Sequence, residues 1–345
     1  MRKALCRLVA SALAALALHA PSHAQTVAEL ATYQGPDRQE RLLAAAKLEG
    51  ELSVYHVYPS LTVMMDAFSK KYGIVVKPWR AGSEAVLQRV LTEARGGRFT
   101  VDIVQNNAPE NEAAHREKLL TEVRSPYLAD LIPQALPAHR EWAGITVDVW
   151  VASYNTAKVK KEELPRRYED LAHPRWKGRL GIEANNHAWF GTLLAELGED
   201  KGTRLWSNIV ATNGISVRKG HSVLTAMVAS GEIPLALTVY SWNPEQLKAK
   251  GAPIESLVLQ PLIAQPSTIA MLKRAPHPAS ALLFYDFMLS EGQKLLAEKS
   301  YVVSSKKLPR PFADVALVYI DPARALDKQD KWMRKFDEMI VKKAR

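Results

Sequence analysis

One cysteine, Cys6, stands in a chain of 345 residues. It lies within a segment that reads as a cleaved leader, ahead of that segment's apolar run, so the chain left behind has no disulfide and no thiolate nucleophile. Cohesion then rests on the core alone. Other signatures are missing too. There is no His-Glu-x-x-His helix, no phosphate loop and no dinucleotide glycine pattern. Gly220-His221-Ser222-Val223-Leu224 starts like a nucleophile elbow but lacks the second glycine, and Ser222 reads as a plain helix start. His115, with Glu112 and Glu117 nearby, reads as a solvated helix face. No second apolar stretch is long enough to cross a bilayer, and no nucleic-acid motif is present. No internal repeat recurs at a fixed period. These absences point to a non-enzyme with no cofactor and no resident metal.

What is there begins with an export signal. Arg2, Lys3 and Arg7 form a positive region, Leu8 to Leu18 an apolar one, and Ser22-His23-Ala24 a small-residue cleavage site. Cleavage near Ala24 is expected to deliver the chain to the periplasm. Removing 24 residues from 345 leaves 321, beyond the size at which a single core usually divides. The formal charge of +10 loses three cations with the leader, leaving +7. Such a modest positive field suits an anionic solute, and no nucleic acid is implied.

Hydrophobic periodicity then gives β-α-β-α-β. Leu52–His56 reads as a strand and Leu61, Met64, Met65, Phe68 and Tyr72 as one face of a helix. Ile74–Trp79 follows as a strand, then a helix capped by Ser83, then the strand Val101–Gln105. This alternation predicts a mostly parallel sheet with helices on both faces. Ligands of open α/β sheets sit beyond the carboxyl ends of the strands. Three such ends carry polar or turn residues here: Tyr58 and Ser60, Gly82 and Ser83, Asn106 and Asn107. The start of the Ser83 helix offers free N–H groups to an anion or a carbonyl oxygen.

Ile145–Tyr154 is apolar and β-branched and reads as a long strand running between two bodies. A second alternation follows, with strands at Arg179–Glu183 and Pro234–Tyr240. Their ends place Asn185, Asn186 and Trp189, then Tyr240, Ser241 and Trp242. Ile263–Leu272 reads as a strand crossing back, Pro278–Leu289 as an apolar helix, and the tail as an amphipathic basic helix from about Pro322. Neutral donors from Ser83, Asn185, Asn186 and Tyr240, with Tyr58, Trp189 and Trp242 as apolar walls, suit a small carboxylate or phosphonate.

Several blocks in order then carry a resemblance. They are Gly82-Ser83-Glu84-Ala85-Val86-Leu87-Gln88-Arg89 through Asp102-Ile103-Val104, and Asp170-Leu171-Ala172-His173-Pro174-Arg175-Trp176-Lys177-Gly178. Gly231-Glu232-Ile233-Pro234, Lys250-Gly251-Ala252-Pro253-Ile254 and Ala275-Pro276-His277-Pro278 through Glu291-Gly292-Gln293 follow. Together they resemble a periplasmic substrate-binding protein of an ABC importer, in the ferric-iron-type branch with the type II periplasmic binding fold. The resemblance implies an α/β architecture of two lobes, each a mixed sheet flanked by helices, joined by two crossing hinge strands. It divides the chain into a leader (1–24), lobe 1 (25–147 and 263–300), lobe 2 (148–262) and a C-terminal segment (301–345) that returns to lobe 2. It implies a monomer that captures a small anionic solute, ferric iron or an iron complex in the cleft and delivers it to an inner-membrane permease.

The branch's iron ligands fall, block by block, at Pro59, Asn107, Tyr240 and Ser241, so only Tyr240 keeps an iron-binding side chain. An iron site would need Tyr240 with His56 and Tyr58 as shifted neighbours, since ferric iron prefers anionic oxygen. A periplasmic enzyme and a receptor-coupled sensory binder on the same scaffold are the alternatives.

Overall fold

The structure, a computed structural model, describes residues 26–344; the leader and its cleavage point lie outside the described residues. Helices α1 (Val27–Thr32) and α2 (Arg38–Glu49) come first. Thr26 caps α1: its hydroxyl accepts the Glu29 N–H, and the Glu29 carboxylate accepts the Thr26 N–H in return.

The first alternation comprises β1 (Glu51–His56), α3 (Leu61–Tyr72), β2 (Val75–Arg80), α4 (Ser83–Arg95), β3 (Ile103–Asn107) and α5 (Ala108–Arg116). Strand β1 pairs in parallel with both β2 and β3. Leu61, Met64, Met65 and Phe68 of α3 are all buried, with Phe68 packed on Phe284 and Phe287 at 5.1 and 5.6 Å. Two local expectations are corrected. Gly82, not Ser83, is the N-cap of α4, and Ser83 is its first helical residue. The reason is that the polar groups of Ser83 are committed elsewhere: its carbonyl accepts Asn106 Nδ2 at 3.0 Å and its hydroxyl accepts Asn107 Nδ2 at 2.9 Å. Strand β3 starts later than expected and runs through Asn106 and Asn107. Ahead of it, the Asp102 carboxylate accepts the backbone N–H groups of Ser53 and His277 at 2.7 and 2.6 Å. A side chain that takes backbone donors competes with the sheet ladder at that position.

Strand β4 (Trp142–Asn155) is the long crossing strand, buried along its whole length. Beyond it lie β5 (Leu180–Glu183), α6 (His187–Leu197), α7 (Glu199–Asn213), β6 (Ser216–Arg218), α8 (His221–Ser230), β7 (Leu235–Tyr240), α9 (Trp242–Lys248), β8 (Ile254–Leu257) and β9 (Leu262–Met271). From Trp142 to Val149, β4 pairs antiparallel with β9; from Trp150 on it pairs with β7, and its last residues also pair with β8. One strand therefore serves two sheets, in the order β2-β1-β3-β9-β4-β7-β5-β6. The three-residue strand β6, half-buried at an edge, carries too few residues for its period to be read from sequence.

Helix α10 (Pro278–Leu289) has all but its first residue buried, so its apolar composition reflects burial on every side. It carries Asp286, whose carboxylate meets the Arg38 guanidinium of α2 at 2.9 Å in the core. Helix α11 (Glu291–Glu298) follows, and then β10 (Leu317–Tyr319) joins β9 in parallel. The expected single C-terminal helix is two, α12 (Pro322–Asp327) and α13 (Gln329–Met339), interrupted at Lys328. Helix α13 docks on α6, where a Cβ on Gly191 would lie 2.5 Å from the Trp332 ring, so only glycine lets the two meet. Helix α12 meets α5 through Arg116 and Asp327 at 2.7 Å. No helix among the described residues is long and apolar enough to cross a membrane.

Removing one member of a buried ion pair strands the other charge, at a cost of about 3–5 kcal/mol. Asp286→Ala should therefore lower the urea unfolding free energy by about that amount, measured by equilibrium denaturation. A loss below about 1 kcal/mol, the range of exposed pairs, would contradict the role given to Arg38–Asp286.

Candidate interlobe binding site

The site forms where β4 leaves one sheet for the other. Along β4, Ile145, Val147, Val149 and Val151 alternate with Thr146, Asp148 and Trp150, as a period of two requires. Register places Asp148 opposite Gln265 of β9 and Trp150 opposite Tyr240 of β7. Both hinge strands thus aim polar or aromatic groups at one place.

Asp148 is fully buried. Its Oδ1 accepts the Tyr58 hydroxyl at 2.8 Å and the Trp242 indole N–H at 3.3 Å, whereas Oδ2 is buried with no hydrogen-bond partner among the described residues. Tyr58 comes from the loop after β1 and Trp242 from α9, so one carboxylate oxygen joins the two halves. Tyr301, just after α11, stacks on Tyr58 and tilts against Trp242, both at 4.8 Å between centroids. A second tie is Gln246 Nε2 donating to the Lys299 carbonyl at 2.8 Å.

Tyr240 is buried beside this group, its hydroxyl accepting Gln265 Nε2 at 3.5 Å and its ring 4.0 Å from that of His221. His221 Nδ1–H donates to the Thr238 carbonyl at 3.1 Å, which leaves Nε2 as the acceptor nitrogen. Burial holds this imidazole below its usual pKa, hence neutral. Glu183 is fixed by accepting the N–H groups of Asn185 and Gly220 at 2.7 and 2.9 Å. From the other half, the first turn of α5 contributes Glu110, whose Oε2 is buried without a partner among the described residues. The buried Ser241 Oγ and Asn243 Nδ2 are likewise unpartnered.

The electrostatics follow from burial. It pushes Asp148 up to about 7, against the opposing hydrogen bonds from Tyr58 and Trp242. It pushes Glu110 to about 7 as well, with the negative charge of Glu84 adding to the effect. The Tyr240 phenol is raised well above its ordinary value, first by burial and then by the charges of Asp148, Glu183 and Glu110. Glu110 and Tyr240, from opposite halves, are near enough to feel one another. Across the same gap Glu84 of α4 acts on His187 of α6, whose pKa burial lowers.

The residues expected to line the site divide into four groups. Tyr58, Tyr240, Ser241 and Trp242 come together there. Asn106, Asn107 and Asn186 are committed internally. Asn106 Oδ1 accepts the Asn107 N–H at 2.9 Å, and the Nδ2 atoms of Asn106 and Asn107 go to Ser83. Asn186 donates to Thr238 Oγ1 at 2.7 Å and accepts from Trp150 Nε1 at 3.1 Å. Trp189 is a core residue with no exposed surface, edge-on to Trp206 at 5.8 Å. Ser60, Gly82, Ser83 and Asn185 are partly or fully exposed, with open space around Gly82 and with Ser83 held by Asn106 and Asn107. His56 is buried and its Nδ1 lies 2.9 Å from the Tyr58 carbonyl, which holds the loop rather than facing the gap. Asn106, Asn107 and Asn186 thus have their amide N–H groups engaged within the protein, and the buried atoms without partners here, among the described residues, are Asp148 Oδ2, Glu110 Oε2, Ser241 Oγ and Asn243 Nδ2. An apolar groove of about 140 Å³ beside Val90, Phe99 and Leu272 shares no residue with this site.

Glu110, Asp148, Gln265 and Tyr301 were not singled out from the sequence, and His221 was read there only as part of a helix start. Asp148 had a readable signal, an acid inside a buried β-branched strand. Glu110 did not, because an acid in the first turn of a helix is common for dipole reasons alone.

Residues 102–321 match a family described as bacterial extracellular solute-binding protein. The Fe(3+)-binding periplasmic protein of Serratia marcescens is 30% identical over 183 residues, 52% of this chain and 53% of that protein, so the match spans about half of that relative. Iron uptake protein A1 of Synechocystis is 27% identical over 256 residues, 68% of this chain and 69% of its own. The periplasmic binding protein AfuA of Actinobacillus pleuropneumoniae, solved with exogenous fructose-6-phosphate bound, superposes with a TM-score of 0.75 at 21% identity, covering 85% of this chain and 99% of that one. That likeness establishes the fold as the type II periplasmic binding fold.

The raised Asp148 pKa fixes a pH dependence. A carboxyl that titrates near 4 when unfolded and about 7 when folded adds stability below pH 4, and that stability is lost as pH rises through 7. The loss attributable to Asp148 is at most roughly 4 kcal/mol. Solute-free protein should be less stable to urea at pH 8 than at pH 4.5, and Asp148→Asn should shrink that difference by about half, Glu110 supplying most of the rest. Equal pH dependence in the two proteins would contradict the assignment.

Proposed function

Because the chain belongs to the bacterial extracellular solute-binding proteins, we propose that it is the periplasmic solute-binding component of an ABC importer and that its solute is centred on a positive charge, an iron(III) complex first. The observation that carries this reading is the pair of buried carboxylate oxygens without partners, Asp148 Oδ2 and Glu110 Oε2, beside the Tyr240 phenol. Buried unpaired acceptors are costly, so a ligand that supplies a cation or strong donors there gains what the empty site lacks. Ferric iron prefers anionic oxygens, and two carboxylates with a phenol suit it better than amides do. Tyr240 is held protonated by its surroundings, so ligation requires the metal's charge to displace that proton. His221 Nε2, which carries the lone pair, is a further ligand atom within the same group.

Closure joins the halves through Asp148, and the closed shape is what a permease reads. The protein releases its solute unchanged, as a binder and not an enzyme. Export by the leader, with cleavage near Ala24, places it in the periplasm.

Thermal unfolding of the purified protein tests the reading. Ferric citrate should give a saturable rise in melting temperature, since a ligand at a hundredfold its Kd stabilises by about 2.7 kcal/mol. Fructose-6-phosphate and simple carboxylates or phosphonates should give a much smaller one. Asp148→Asn should weaken the ferric response at least tenfold, and Tyr240→Phe should remove any phenolate-to-iron absorption band. A rise with the plain anions and none with ferric complexes would sink the proposal.

A further inference from the structure

A separate cluster lies on the flank of the first sheet. Glu112 and His115 stand three residues apart on α5 and so share one face of it. His139 and Glu141 lie in the turn that leads into β4. We propose that Glu112, His115, His139 and Glu141 form a second cation site, one that takes a divalent transition metal, with zinc as the best fit.

Ligand atoms of Glu112, His115 and His139 all lie within 4.8 Å of one another. His139 Nε2 is 3.1 Å from Glu112 Oε2, and His115 Nδ1 is 2.7 Å from Glu141 Oε2. The imidazole rings stack 3.7 Å apart at 10°. In a tetrahedral zinc site with bonds of about 2.0–2.1 Å, neighbouring ligand atoms are about 3.3 Å apart. The His139–Glu112 contact is close to that spacing, and Glu141, which contacts His115 but lies outside the set that meets within 4.8 Å, joins as the fourth ligand by rotation of its side chain. Two nitrogens and two carboxylates match zinc in ligand type, and the carboxylates cancel its charge. Calcium and magnesium, which favour all-oxygen shells, suit the cluster poorly.

The side chains are held from behind, as ligands of metal sites usually are. Trp142 Nε1 donates to Glu112 Oε2 at 3.3 Å, and the Arg116 guanidinium is 3.9 Å from Glu112 Oε1. The Glu141 N–H donates to His139 Nδ1 at 3.1 Å, which keeps the ring proton on Nε2. Metal bonding at Nε2 moves that proton to Nδ1 and releases the amide, so a strongly bonding ion is needed. The groups are half-buried, within reach of solvent. The site is apart from the solute site and does not depend on how that site is read. It links the helix whose first turn carries Glu110 to the start of the strand that carries Asp148.

Untagged protein stripped with chelator and titrated with zinc against a chromogenic competitor tests the proposal. One zinc per chain should bind, and His115→Ala, His139→Ala and Glu112→Gln should each weaken it at least tenfold. The melting temperature and circular dichroism of each variant check folding. His115→Ala should keep the full thermal response to ferric citrate, which separates this site from the cleft. Should an alanine variant fail to fold, Glu112→Gln, which preserves shape, decides the matter. No zinc uptake, or uptake unchanged in the folded variants, would overturn the proposal.

Discussion

The oxygen Oδ1 of Asp148 accepts from Tyr58 on one side and Trp242 on the other. Because Asp148 sits on the strand that both sheets share, this one acceptor holds the loop after β1 and the start of α9 to the same point. The aromatic group of Tyr58, Trp242 and Tyr301 packs around it and excludes water. Exclusion of water raises the carboxyl's pKa, and the same burial, with the charges of Asp148, Glu183 and Glu110 behind it, raises the Tyr240 phenol well above its ordinary value. The closed arrangement, the acidity of the site and the state of Tyr240 therefore share one cause.

The fold was legible where periodicity was local. The face of Leu61, Met64, Met65 and Phe68 announced α3, and the apolar run of Pro278–Leu289 announced α10. The crossing role of β4 could be read from its length and its lack of any helical signal. Errors came at element ends, where side chains compete with backbone. Ser83 has the chemistry of a cap, yet Asn106 and Asn107 claim its carbonyl and hydroxyl. Nothing near Ser83 in sequence reveals that competition, since its partners are 23 and 24 residues away.

The candidate site was legible only in part, for a related reason. Tyr58, Tyr240 and Trp242 were visible because they follow strands. Amides at strand ends look like ligand donors, but whether their hydrogen bonds remain free is decided by distant partners such as Thr238 for Asn186. Conversely, Tyr58 and Asp148 are 90 residues apart, and their meeting makes the carboxylate significant. Charge type at the site was thus set by tertiary pairing more than by the residues a strand-end rule selects. The cluster of His115 and His139 shows the same limit: an ordinary helix face acquires a second imidazole from a turn 24 residues on.

The tail gives the molecule a mechanical property. Asp327 is fastened to α5 beside the first sheet, while Trp332, five residues further on, is keyed over Gly191 of α6 beside the second. A span that short has almost no slack, so the outermost helices tie the flank of one sheet to the flank of the other. The two anchors are unequal: the exposed Arg116–Asp327 pair is the weak end, and the ring seated over Gly191 is the firm one.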